Sequence, residues 1–441
     1  MRNKLAFLYM VALSLSLFSC TVSADNLLDV FNAAKTSDPT LQASLAARNA
    51  AEYRHKQSRA QLFFQADLRG NVSDTRRQTD TTTSNVSTGY SLSLTQPIYH
   101  HDTYKLLEQT DAQWAQTVAD YQAAKQNLVT RIAERYFNVL AAHDNLEFST
   151  AEKESNARQL EQTQQRFEVG LIAITDVHES QAAFDLSVAN EISAENILAN
   201  TQEALRELTG QYHRNLAKLQ NEFELMQPEP QNRQAWVATA LDKNYRVLSA
   251  KSAVDAARHS VKREQSGHYP VLDLVASHSF TEGGGGSTFF SGNQDTTTDT
   301  ISLELTLPLF RGGGTRARVK ESEQVYAQTR AVLEQTRRAI QREASEAYYN
   351  VRSKISEVKA FKQGILSTQS ALEASEVGLE VGTRTTVDVL NTRRELFRAQ
   401  RDHARARYDY LLSTLRLKEA AGTLSTEDIE NVNQYLVKER K

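Results

Sequence analysis

The stretch Phe167-Glu168-Val169-Gly170-Leu171-Ile172-Ala173-Ile174-Thr175-Asp176-Val177 returns 212 residues later as Leu379-Glu380-Val381-Gly382-Thr383-Arg384-Thr385-Thr386-Val387-Asp388-Val389. At the same offset Glu134-Arg135-Tyr136-Phe137-Asn138-Val139 returns as Glu346-Ala347-Tyr348-Tyr349-Asn350-Val351. One residue off that register, Gln96-Pro97-Ile98-Tyr99 matches Leu307-Pro308-Leu309-Phe310. The chain is a tandem duplication, so whatever one half folds into, the other must fold into as well. The repeats delimit a first half over 25–213 and a second over 233–422. A linker at 214–232, carrying Pro228 and Pro230, joins them, and a short polar tail at 423–441 follows.

Each half has the same internal plan. No proline occurs between Pro97 and Pro228 or after Pro308, and glycine is absent from His100 to Val169. That window of about 70 residues can run as one helix for about 100 Å, too long for an ordinary globular core. Apolar positions recur at coiled-coil spacing: Leu128, Ile132, Tyr136, Val139, His143 and Leu146 in one helix, and Val319, Tyr326, Leu333, Ile340 and Ala347, at strict sevens, in another. In the last helix Val387, Leu390, Arg394, Phe397, Arg401, Ala404, Tyr408, Leu411 and Leu415 alternate by three and four. Arg394 and Arg401 in that seam point either to a wet side, as in the wall of a tube, or to arginines that snorkel from a plain coiled coil.

Between the helices the period changes to two. Val86, Thr88, Tyr90, Leu92 and Leu94 alternate with Ser87, Gly89, Ser91, Ser93 and Thr95, and Ile301, Leu303, Leu305, Leu307 and Leu309 alternate with Ser302, Glu304, Thr306 and Pro308. Weaker partners precede them at Ala66 to Ser73 and Leu272 to Phe280, across loops at Asp74 to Asn85 and Thr281 to Thr298, the latter with Gly283 to Gly286. Two hairpins with polar loops are expected.

Arg2 and Lys4, an apolar run from Leu5 to Phe18, and Val22-Ser23-Ala24 before Asp25 form the pattern of a secretory signal over residues 1–24. Its removal takes the formal charge from −3 to −5 and takes away Cys20, the one cysteine. Leu17-Phe18-Ser19-Cys20 also loosely fits a lipoprotein box, poorly at Phe18. Without a thiol in the mature chain, disulfides, Cys-ligated zinc and Cys nucleophiles are excluded. Lys+Arg 51 against Asp+Glu 54 leaves no basic excess for a phosphate backbone, so nucleic acid is not expected as a partner.

Strands about ten residues long, with one apolar and one Ser/Thr/Gly face, suit a tilted outer-membrane strand. Four cannot close a barrel, and open edges are not tolerated in lipid, so copies must pool strands, eight as a dimer or twelve as a trimer. Twelve better suits a wet lumen with a polar wall. The alternative is a soluble β-sandwich beside a helical bundle.

The duplicated halves, the Val-Gly hairpin tips, the runs Arg166 to Val177 and Val381 to Leu390, and Leu307-Pro308-Leu309-Phe310-Arg311-Gly312-Gly313 together closely resemble the TolC-type channels of the outer membrane factor family. The resemblance covers essentially all of the mature chain. It implies a mixed α and β membrane protein: a trimeric twelve-stranded outer-membrane β-barrel, four strands per chain, continuous with a long periplasmic α-helical barrel. An equatorial belt would take in the linker and the tail. Implied partners are a periplasmic adaptor and an inner-membrane transporter of RND, ABC or MFS type, in drug efflux or type I protein secretion.

The same resemblance assigns roles to single residues. Asp388 matches an acidic ring at the pore constriction, and Asn391 stands where the family has a second acid, so the ring would hold three charges rather than six. Asp176 and Arg384 match groups that link inner and outer coils and hold the entrance shut, while Leu379 replaces a supporting tyrosine. Gly170, Leu171, Gly382 and Thr383 lie where adaptor tips dock; glycine there also permits a positive φ. Phe64 departs from a proline usual at the helix-to-strand turn, which the second half keeps as Pro270.

No enzymatic pattern competes. Gly283 to Gly286 and Gly312 to Gly314 lack a following Gly-Lys-Ser/Thr, and His100-His101 lack ligand partners at metal spacing, so they read as solvated turn residues. No enzyme activity, cofactor or metal is expected. The expected function is a passive outer-membrane exit duct; the alternative is a periplasmic coiled-coil adaptor or scaffold without a pore.

Overall fold

The computed structural model describes residues 24–78, 82–283 and 295–437. The expected leader up to residue 23, with Cys20, lies outside the described residues, as do residues 79–81, 284–294 and 438–441, Gly284 to Gly286 among them. The first half gives α1 (Leu27–Ser37), α2 (Pro39–Ala60), β1 (Gln65–Gln78), β2 (Thr82–Tyr99), α3 (His101–Glu168) and α4 (Ile174–Thr209). After β3 (Lys218–Leu219), the second half gives α5 (Arg233–Lys243), α6 (Tyr245–Gln265), β4 (Val271–Gly283), β5 (Asp295–Thr306), α7 (Gly314–Glu380) and α8 (Thr386–Ala420). The tail adds α9 (Thr426–Asn433) and β6 (Leu436–Val437). Among the described residues no helix is long and apolar enough to cross a membrane.

Two compact units divide the chain. One comprises the described residues up to 42 with 125–240 and 343–437; the other comprises 43–124 and 241–342, and α3 and α7 contribute to both. The glycine-free window became the 68-residue α3, and its repeat the 67-residue α7.

The second unit holds an antiparallel sheet in the order β1-β2-β4-β5. Its strands run from 12 to 18 residues, longer than expected, and reach into the Thr-, Asn- and Asp-rich segments that composition alone marks as loops. Ladder pairing decides this: Gln78 pairs with Thr82 and Glu282 with Asp295, so the polar ends stay in register. The expected strand to Leu309 instead stops at Thr306, before Pro308, which has no N–H to give. β2 does carry Pro97, with a register shift between Pro97 and Tyr99.

The first unit is buried along α3 at Leu128, Ile132, Tyr136 and Phe137 and along α8 at Tyr408, Leu411 and Leu415, all nearly inaccessible, and the two helices meet where Phe137 stacks on Tyr408. Tyr136 donates its hydroxyl to the Ala217 carbonyl at 2.8 Å. Arg131 forks onto buried Asp38 at 2.8 and 3.2 Å, and Asp38 also accepts from the Leu41 amide. The tail is not merely polar: Ile429, Val432 and Leu436 are buried, and β6 pairs with β3 of the linker.

The α8 seam differs from expectation near its start. Thr386, Val389, Arg393 and Leu396 are the buried stripe there, one position before Val387, Leu390, Arg394 and Phe397, and the expected register holds only from Ala404 through Leu415. Both stripes recur by three and four, so spacing alone cannot choose between them. Of the two arginines that pointed either to a wet side or to snorkelling, Arg401 is bonded to the buried Glu152 at 2.8 Å, whereas Arg394 is exposed.

Candidate functional site: a two-faced sheet and two helix-hairpin tips

Cross-strand register sorts the sheet into two faces. One carries Ala66, Leu68, Leu92, Leu94, Leu272, Leu274, Ala276, Ile301, Leu303 and Leu305; the other carries Asp67, Arg69, Asn71, Ser91, Ser93, Asp273, Ser277, Ser302 and Glu304. The apolar face is open to its surroundings, with Leu68 at 72%, Ile301 at 80% and Leu303 at 64% exposure. From Leu272 to Phe280 along β4, at about 3.3 Å per residue and a tilt of about 40°, the band covers about 20 Å, near the ~25 Å apolar belt of outer-membrane barrels. Exposed aromatics flank it: Phe63, Phe64, Tyr99, Tyr269 and Phe310 at one end and Tyr90, stacked on Phe280, at the other. Two aromatic girdles around an apolar band are what a membrane with two interfaces selects. Polar pairs in that face lie at the Tyr90 girdle and beyond it: His278 with Asp299 at 2.6 Å beside Tyr90, then Thr88 with Glu282 at 3.4 Å and Ser84 with Asp74 at 2.8 Å. Phe64, an unexpected residue by resemblance, thus belongs to a girdle.

His100, expected as a solvated turn residue, meets Asp273 at 2.9 Å, a carboxylate that only the sheet brings near. His101 packs edge-on against Tyr269. Among the described residues, His143, Asp144 and Glu147 could gather around a metal ion, but Asp144 already accepts the Tyr408 hydroxyl at 2.7 Å and Glu147 lies 3.8 Å from the Lys218 ammonium.

At the tips, α3 and α7 end alike. Gly170 and Gly382 adopt φ of 74° and 76°, which a Cβ would disfavour. The amides of Leu171 and Thr383 reach back to the carbonyls of Arg166 and Gly378 at 2.9 and 2.8 Å, a Schellman-type closure. Val169, Leu171 and Val381 project with about 70% exposure each.

Asp388 closes a capping box. Its carboxylate accepts the Thr385 amide and hydroxyl, both at 2.9 Å, while its own amide donates to Thr385 Oγ1 at 3.2 Å. The Thr385 amide first, then its hydroxyl and the Arg384 charge, hold the Asp388 carboxyl below the usual carboxylate range. Asn391 is exposed one turn on. Arg384 lays its side chain across Gly378, where a Cβ would stand 2.6 Å from its Cγ. Asp176 sits in the first turn of α4, and among the described residues no hydrogen bond or ion pair joins it to Arg384 within the chain.

Comparison with known proteins decides the family. The family model for outer membrane efflux proteins matches residues 30–211 and 236–423, one stretch in each half. The chain is a member of the outer membrane efflux protein family. It is 38% identical to the outer membrane protein TolC of Vibrio cholerae over 427 residues, 97% of each chain. It is 29% identical to the alkaline protease secretion protein AprF of Pseudomonas aeruginosa, over 92% of this chain and 86% of that one. Its fold matches that of the Campylobacter jejuni CmeC outer membrane channel with a TM-score of 0.78 at 16% identity, covering 96% of this chain and 92% of the other. This efflux protein is therefore an outer-membrane exit duct, and the two-faced sheet is its membrane-facing part. One group near the tips escaped sequence reading: Arg393, buried between α7, α8 and α3, whose only signal was a basic residue in the Val389–Leu396 stripe.

Proposed function

We propose that three copies of the chain form a passive channel-tunnel, a twelve-stranded barrel in the outer membrane continuous with a periplasmic barrel of coiled coils. The observation that carries this reading is the four-stranded sheet with one apolar face, one polar face and β1 and β5 as open edges. Lipid tolerates no open edge, so strands of several copies have to close on one another. Eight strands would enclose packed side chains, whereas twelve leave a lumen suited to a wall of Ser, Thr, Asn and Asp.

The duct supplies no energy and no chemistry of its own. An inner-membrane transporter of RND, ABC or MFS type drives the cargo, and a periplasmic adaptor grips the tips at Gly170, Leu171, Gly382 and Thr383, where exposed Val169, Leu171 and Val381 offer apolar contact. The family favours efflux, and the likeness to a protease secretion protein adds type I secretion. Asp388, repeated by threefold symmetry, lines the constriction with Asn391 beside it. Asp176 and Arg384 pair between copies and hold the entrance shut until partners untwist the inner coils.

The test is planar-bilayer conductance of the purified mature protein together with its native mass. A trimer with stable single-channel steps is expected. A monomer or dimer, or an inserted trimer that stays silent even with Arg384→Ser, would instead favour a scaffold without a pore.

A further inference from the structure

The α8 stripe near the tip places a charge in a seam. Val389 is fully inaccessible and Leu396 nearly so, packed with Leu372 of α7, yet between them the stripe holds Arg393, whose side chain is only 11% exposed. Its guanidinium, carried on α8, reaches two other helices. It donates to Glu376 Oε1 of α7 at 2.9 Å, to the Ser155 carbonyl of α3 at 3.4 Å and to Gln159 Oε1 of α3 at 3.5 Å. The packing around it is polar as well, with Thr163 bonded to Ser180 and Ser375 to Thr392.

A leucine at this position would let the hairpin slide along α3 with little penalty, because one apolar contact replaces another. A planar group with five donors cannot slide so, since its partners occupy fixed places on two other helices. A polar residue buried in a helix–helix seam fixes register in this way. Glu376 remains 46% exposed, so separating the pair returns the carboxylate to water rather than stranding it. A restraint of this kind is specific when made and releasable when broken.

We propose that Arg393 is a register pin that holds the α7–α8 hairpin on α3 within each chain, and that release of this pin is a step in opening the duct. The opening step rests on the channel reading above; the pin itself does not. Lower down the same helix Arg401 bonds the buried Glu152, a second link between α8 and α3, and it stays in place when only the tip loosens.

The test uses the full-length purified protein, with hydrogen exchange and bilayer conductance read in parallel. Arg393→Met and, from the other side, Glu376→Gln are expected to raise amide exchange about tenfold over 150–165 and 370–400, a factor corresponding to about 1.4 kcal/mol, and to leave exchange in the sheet unchanged. The charge-exchanged pair Arg393→Glu with Glu376→Arg is expected to restore protection at least in part, which a mere packing role of the arginine stem would not do. Conductance should rise in both single variants and fall back in the pair. Unchanged exchange in both single variants overturns the pin. Raised exchange with unchanged conductance, in a preparation whose wild type conducts, overturns its part in opening. If no preparation conducts, it is the channel reading that fails, and exchange still decides the pin. Should Arg393→Met not assemble, Glu376→Gln alone carries the same comparison.

Discussion

Burial holds the Asp144 carboxyl above the usual carboxylate range, although the Tyr408 hydroxyl donates to it at 2.7 Å. A carboxyl raised by folding contributes stability that is fully present below its unfolded value, about 3.9, and is lost as pH rises through the folded value. At neutral pH the ionised Asp144 therefore works against folding of the α3–α8 core. Asp144→Asn keeps an acceptor for Tyr408 and removes the charge. Its thermal midpoint at pH 7 is expected to equal or exceed that of the unsubstituted protein, with the difference shrinking towards pH 4; a midpoint that is lower at every pH would contradict this. Asp388 is the opposite case, since the Thr385 amide keeps its carboxyl ionised. The two differ in how readable they were. Thr385 and Asp388 stand at capping-box spacing in the sequence, whereas Asp144 and Tyr408 are 264 residues apart and no local pattern joins them.

At the scale of elements, alternation was legible and strand ends were not. The face assignment of Ile301, Leu303 and Leu305 follows from period two, because successive side chains must point to opposite sides. Where β1, β2, β4 and β5 stop depends on pairing with neighbours, which carried strand structure into segments that read as loops. The α8 seam failed for a related reason: two adjacent stripes have the same spacing, and only contact with α7 and α3 selects Val389, Arg393 and Leu396. The faces of the sheet make a direct prediction. Leu303→Arg puts a charge in the apolar band, where the expected penalty is about 2–4 kcal/mol near mid-membrane, while Ser302→Arg puts it on the polar face. Assembled protein recovered from outer membranes should fall sharply for the first and little for the second. Equal recovery would mean that the band does not face lipid.

At the scale of the whole molecule, one side chain counts as many times as there are copies around the axis. Asp388 sits at the start of α8 with Asn391 one turn further, so both positions project onto a threefold ring if the tips converge. Three carboxylates in a narrow, low-dielectric mouth attract cations and repel anions, and a second ring would add to the same field. Asn391→Asp is therefore expected to move the reversal potential under a KCl gradient towards that of potassium, and Asp388→Ala to move it towards zero. Salt gives the internal control. The screening length is about 10 Å at 0.1 M and about 3 Å at 1 M, so both shifts should be large at low salt and small at high salt. A shift that ignores salt would point to a changed pore shape rather than a changed field. No shift in either variant would place the constriction away from α8, and the capping box would then be the whole role of Asp388.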